Sequence, residues 1–222
     1  MNQRYLLLFF SAALMTYLGM LIWLASSLSP SSAEMLFGES GGFEDMSAVL
    51  WLGLAGALLV SRPIRLSRRL GMAVVVAALA AREEGWHKKF TADSLFKTDY
   101  YQMAGVPLGE RLLAGAVALA LIAILLWLLA VGARELFARG GWRRPWGLVA
   151  LFSVMLAPLL KAVDRGPSIL RVRFDVVLPG NVDQLMLVLE EGLETVLPLL
   201  LLVALAFYLA DRRGTHDASH GG

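Results

Sequence analysis

Four short segments of the sequence concentrate residues that can bind a metal, transfer a proton or hold an anion. They are Glu44-Asp45, Arg82-Glu83-Glu84-Gly85-Trp86-His87-Lys88, Lys161-Ala162-Val163-Asp164-Arg165 and Glu190-Glu191-Gly192-Leu193-Glu194. Residues three or four apart lie on the same face of a helix, so each of the last three segments presents several ionisable groups together. These segments are where the sequence predicts chemistry.

The spacing of Glu84-Gly85-Trp86-His87 matches the Glu-x-x-His half-motif of carboxylate-bridged di-metal bundles. The sequence has no second Glu-x-x-His, so further ligands would come from the carboxylates of the other segments. A set of one imidazole and several carboxylates favours Mn, Fe, Mg or Ca, with Zn as a further divalent candidate. The predicted metal ligands are Glu44, Glu84, His87, Asp164, Glu190 and Glu194.

A metal of this kind would activate a bound water molecule, whose proton a nearby base must accept. Glu83, His87 and Glu191 are the predicted catalytic residues. Lys161 and Arg165 are predicted to bind a phosphate or another anionic head group. On this interpretation the protein is a metal-dependent enzyme that acts on a lipid or a lipid-linked substrate.

Two other interpretations of the same residues remain open. Charges at membrane depth need partners, so the segments could form a structural ion-pair network in a non-catalytic scaffold or an accessory subunit of an envelope complex. Carboxylates beside a cavity could instead carry protons or bind cations in a proton- or cation-coupled transporter. The absence of cysteine excludes thiolate metal sites, disulfides and cysteine nucleophiles.

The elements that must position these residues are membrane helices. Hydrophobic residues make up 58% of the chain, its mean hydropathy is +0.65, and the apolar residues form long runs. We predict an all-α, six-transmembrane-helix bundle as one domain over 1–210, followed by a disordered cytoplasmic tail over 211–222. The predicted spans are about 5–28, 45–62, 70–87, 112–133, 146–164 and 190–209.

Four of these spans are short of apolar residues. A span needs about 20 residues to cross a bilayer, and in these four the missing length must come from the flanking ionisable segments. Those segments then lie at outer-leaflet depth, where a charge facing lipid is costly. The sequence therefore predicts that the second, third, fifth and sixth spans turn these residues towards one another or towards a polar cavity.

The distribution of basic residues predicts the orientation. Eleven of the 20 Lys and Arg residues fall at the N-terminus, at the C-terminal end or in the short connections around 62–69 and 134–144. Basic residues favour the cytoplasmic side, so both termini are predicted to be cytoplasmic and the acidic face extracytoplasmic.

In their order along the chain, the four ionisable segments resemble those of a group of small bacterial multi-pass inner-membrane proteins. The resemblance covers most of the chain through short motifs and implies a location in the bacterial inner membrane, without implying a reaction. The expected partners are the lipid bilayer and either a lipid substrate or a protein of a membrane complex; no nucleic-acid partner is expected.

Overall fold

The computed structural model describes residues 3–38, 41–86, 95–103 and 105–220. These residues form helices joined by turns, and no strand occurs among them. The α-helices are α1 (Gln3–Ser27), α2 (Pro30–Phe37), α3 (Gly42–Val60), α4 (Leu66–Glu83), α5 (Leu108–Ala133), α6 (Pro145–Phe174) and α7 (Gly180–His220). A π-helical turn, Arg134–Ala138, continues α5, and 3₁₀ turns lie at Thr98–Gln102 and Gly141–Arg143.

Five segments of the described chain are long and apolar enough to cross a bilayer, as expected of a membrane protein. They are Leu8–Ser27, Pro30–Val60, Leu108–Ala138, Pro145–Phe174 and Gly180–Arg212. The third predicted span corresponds to α4, which is helical but is not among the five. Its charged residues, at 68, 69, 82 and 83, leave an uncharged run of only 70–81.

The chain forms two compact units, Met1–Leu50 with Gly141–Gly222, and Trp51–Gly140. In the first unit, α7 packs against α6, α1 and α2. Two apolar clusters form its core. One joins Val149, Leu156 and Leu160 of α6 to Val196, Leu200 and Ala204 of α7, and the other joins Leu21, Ala25, Ala33, Phe37 and Val188.

Both α6 and α7 extend beyond their predicted limits. α6 continues past 164 to Phe174, where Asp175 adopts a left-handed conformation (φ 54°) and the chain leaves the helix. α7 starts at Gly180 and its backbone stays helical to His220, beyond position 211 where a disordered tail was predicted. The charged segments at 161–165 and 190–194 therefore lie within long helices, because helix length depends on backbone geometry and packing as well as on apolar length.

In the second unit, α4 packs against α5. A Cβ atom added to Gly71 would lie 3.0 Å from Trp127 Cζ3, so the glycine permits this close approach. Beyond α5, Arg68 Nη1 and Arg139 Nη1 donate to Glu135 Oε1 at 2.8 and 2.6 Å. Glu135 in the π-helical turn therefore joins the first turns of α4 to the segment that follows α5.

The 3₁₀ turn of the second unit places Tyr100 in a fully buried position. Its hydroxyl donates to Glu110 Oε1 at 2.8 Å. Burial, the hydrogen bond to Glu110 and the negative charge of that carboxylate raise the pKa of Tyr100 to about 12.

The raised pKa predicts a loss of stability in alkali. The folded protein keeps the Tyr100 proton between pH 10, where an unfolded tyrosine ionises, and about pH 12, so stability falls as the pH rises through that window. Absorbance titration of the phenols should show one fewer late-ionising tyrosine in Tyr100→Phe than in the wild-type protein. Superimposable titrations of the two proteins would contradict the assignment.

Candidate functional site

The site is built on the α6–α7 pair, the most extensively packed pair of helices in the first unit. The apolar cluster that joins them ends at Leu160 on α6 and begins at Val196 on α7. The next residue on α6 is Lys161, and Glu194 is two residues before Val196 on α7. Because the apolar contacts fix the register of the two helices, these charged residues face each other.

Lys161 joins carboxylates of both helices. Its Nζ atom lies 3.1 Å from Asp164 Oδ2 on its own helix and 2.9 Å from Glu194 Oε1 on α7. The Glu194 side chain is 14% exposed and that of Lys161 is 39% exposed, so this contact is partly shielded from the surroundings. A charge-assisted hydrogen bond in such a setting is stronger than one in water.

Glu190 completes the cluster from the adjacent turn of α7. Its carboxyl group interacts electrostatically with those of Asp164 and Glu194 and with the Lys161 ammonium. The four residues, Lys161, Asp164, Glu190 and Glu194, are called the Lys161 cluster below.

An open groove of about 730 Å³ adjoins this cluster at Glu190. It is lined by Pro30, Ala33 and Glu34 of α2, by Pro167 of α6 and by the first three turns of α7. The polar lining side chains are Glu34, Asn181, Asp183, Gln184 and Glu190. The groove therefore gives Glu190 a polar route to the surface of the first unit.

The first turn of α3 also lies against α7. Thr195 Oγ1 is 2.9 Å from the carbonyl of Glu191 and 3.3 Å from that of Phe43, the residue before Glu44. Glu44 and Glu191 are both partly buried. The ionisable segments at 44–45 and 161–165 thus lie beside α7 within the first unit, and α7 itself contains the segment at 190–194.

Contacts between α1 and α7 support the site from the other side. Tyr17 OH donates to the carbonyl of Gly192 at 2.7 Å. Gln184 Nε2 donates to the carbonyls of Ala25 and Leu28 at 2.9 and 3.0 Å, at the end of α1. Motif spacing did not reveal these residues, and their only signal in the sequence was a polar group within or beside an apolar run.

The remaining predicted site residues are distributed differently. Glu83 and Glu84 are at the end of α4, in the second unit. His87 lies outside the described residues. Arg165 is exposed and forms no ion pair with any described residue, so it does not share the position of Lys161.

The predicted metal site finds no support in the described ranges. Residues 3–38, 41–86, 95–103 and 105–220 contain no group of three or more His, Asp or Glu residues arranged to hold a metal ion. Asp164, Glu190 and Glu194 do come together, but around the ammonium of Lys161. The prediction that uses His87 stays a prediction.

These helices and their polar cluster define the class as an α-helical membrane protein with ionisable residues inside its helix packing. No family model matches the chain, and neither a curated protein nor a solved structure matches it.

Proposed function

We propose that this protein is a six-span protein of a bacterial inner membrane and a non-catalytic scaffold or accessory subunit of an envelope complex. In addition to the five long apolar segments, α4 crosses the membrane as the third span along the chain and the shortest of the six. Both termini are cytoplasmic, and the Lys161 cluster is on the extracytoplasmic side. The positive-inside rule supports this orientation, because the α3–α4 turn and the segment after α5 are both rich in arginine.

The observation that carries the proposal is the position of the Lys161 ammonium between Asp164 and Glu194. A lysine in that position supplies the positive charge that the carboxylates need inside a membrane. It also ties α6 to α7 in one register, which is the best-attested role of polar groups within helix packing. A rigid helix pair of this kind suits a protein that holds a partner.

The proposal predicts that the charges can be removed together without loss of function. A variant with Lys161→Met, Asp164→Asn, Glu190→Gln and Glu194→Gln has no charge left in the cluster and keeps similar side-chain volumes. Replacing a whole buried ion-pair network is often neutral or stabilises by about 1–4 kcal/mol. In this cluster, where the side chains of Lys161 and Asp164 are 39% and 38% exposed, the change should be near neutral. We therefore expect a melting temperature at or above that of the wild-type protein, and full complementation of a strain that lacks the gene.

The result that would contradict this expectation is a quadruple variant that folds normally but does not complement the strain. That result would reject the scaffold and favour the second candidate, a proton- or cation-coupled transporter. The electrostatic interaction of Glu190 with Asp164, and the position of Glu190 in the wall of an open groove, support that candidate. Glu34→Gln and Asp183→Asn, at the groove but outside the cluster, are the matched control. The scaffold proposal expects this control to complement as well.

A further inference from the structure

A second charged surface lies at the turn between α3 and α4, within the unit Trp51–Gly140. The turn is held by Ile64, whose N–H donates to the carbonyl of Ser61 at 3.1 Å and whose side chain is buried. Arg62 and Arg65, on either side of this anchor, are exposed, and Arg69 follows one turn into α4. Arg62, Arg65 and Arg69 are called the arginine surface below.

The charges of this surface are not neutralised by the described part of the protein. Neighbouring Arg68 is paired with Glu135, and Glu135 also accepts from Arg139. The three residues of the arginine surface, in contrast, form no ion pair with any described residue. The first turn of α4 has no acidic residue, and the Nε atom of Arg69 is buried without a hydrogen-bond acceptor. Three guanidinium groups therefore have no counterion among residues 3–38, 41–86, 95–103 and 105–220.

The side chains around the arginine surface indicate which anion is nearby. Val60 is 76% exposed and Leu66 is 58% exposed, with Leu59 and Leu70 exposed beside them. The candidate membrane segment Pro30–Val60 ends immediately before the turn. Exposed aliphatic side chains need hydrocarbon around them, so the hydrocarbon ends where the arginines begin. The groups present at that level of a bilayer are lipid head groups.

We propose that the arginine surface binds the phosphate groups of anionic phospholipids. The planar guanidinium offers two parallel N–H donors that match phosphate oxygens, and it is weakly hydrated, which favours pairing at an interface. The acyl chains of the same lipid cover Leu59, Val60, Leu66 and Leu70. Inorganic phosphate has the same head-group chemistry but no chains for these residues. The proposal requires a bilayer around Val60 and is independent of the role of the Lys161 cluster.

The test measures lipid binding by the full chain after removal of native lipid. Native mass spectrometry in a mild detergent would compare phosphatidylglycerol with phosphatidylcholine of the same acyl chains. We expect the variant Arg62→Gln/Arg65→Gln/Arg69→Gln to bind phosphatidylglycerol on the order of 100-fold more weakly, from about five-fold per basic residue near an anionic surface. Binding of phosphatidylcholine should not change.

The matched control removes three exposed arginines away from the α3–α4 turn, as Arg82→Gln/Arg171→Gln/Arg173→Gln. It has the same net charge as the test variant, and we expect it to bind phosphatidylglycerol like the wild-type protein. A charge-keeping variant, Arg62→Lys/Arg65→Lys/Arg69→Lys, covers the case in which the glutamine variant does not fold. It should lose about five-fold in affinity, because lysine lacks the two-pronged fork.

Four outcomes would overturn the proposal. The control could lose as much affinity as the glutamine variant, which would show a general effect of net charge. The wild-type protein could bind the two lipids equally, or the lysine variant could bind as tightly as the wild type where the glutamine variant does not fold. Finally, inorganic phosphate at an equal concentration could displace phosphatidylglycerol, which would assign the surface to free phosphate.

Discussion

Replacing Lys161 by methionine is expected to lower the free energy of unfolding by about 2 kcal/mol, between the effects typical of exposed and buried ion pairs. Methionine keeps the length of the side chain and removes the charge. Asp164, Glu190 and Glu194 would then face one another without a cation, in a place where Glu194 is only 14% exposed. Thermal unfolding in mild detergent, followed by tryptophan fluorescence, measures the loss.

Two further variants separate charge from packing. Adding Asp164→Asn and Glu194→Gln to Lys161→Met removes the repulsion and should restore most of the lost stability. Arg165→Met, one turn further along α6, changes the same charge at an exposed residue that forms no ion pair with the described part of the chain. Its effect should stay within about 0.5 kcal/mol. If Lys161→Met is as stable as Arg165→Met, the cluster does not hold α6 to α7.

Gly192→Ala is expected to destabilise the contact between α1 and α7 by about 1–3 kcal/mol, the usual cost of an overpacked core. A Cβ atom at position 192 would lie 2.6 Å from both Cδ1 and Cδ2 of Leu21. Leu21 is fully buried, so its side chain has no free space to move into. The same close approach allows Tyr17 OH to reach the carbonyl of Gly192, and this hydrogen bond should lengthen as well.

A matched glycine and a double-mutant cycle test this reason. Gly56 lies within α3 with nothing within 4 Å of an added Cβ atom. Gly56→Ala should therefore be neutral or stabilise by up to about 1 kcal/mol, since alanine is the better helix former. Leu21→Ala makes room for the new methyl group, so Gly192→Ala should be less harmful in that background. A stable Gly192→Ala in the wild-type background would contradict the packing at this contact.

Composition and apolar runs predicted the helical, membrane-spanning character of the chain. They identified the apolar parts of α1, α5, α6 and α7 because apolar length alone marks a candidate span. The ends of α6 and α7 were not predictable in this way. Residues 165–174 and 180–189 contain arginine and acidic side chains, and they remain helical because the backbone hydrogen bonds continue and α7 packs against α2 and α6.

The pairing within the predicted site was only partly predictable. The i,i+4 spacing of Lys161 and Arg165 suggested a shared role, yet Lys161 contacts α7 whereas Arg165 is exposed. Glu190 and Glu194 were named as metal ligands, and both lie beside an ammonium group. Spacing defines which residues share one helix face, but it does not define which part of that face another helix covers.

The sequence by itself determined that this is a helical membrane protein with ionisable residues at the edges of its apolar runs. Runs of apolar side chains and the cost of a lone charge in hydrocarbon suffice for that conclusion. Only the tertiary structure decided that Asp164, Glu190 and Glu194 gather around Lys161, next to the contact that Gly192 makes with α1. The physical reason is the register of the two helices. The apolar contacts of Leu160 and Val196 fix the axial position of α6 relative to α7, and this position decides which charged side chains lie opposite each other.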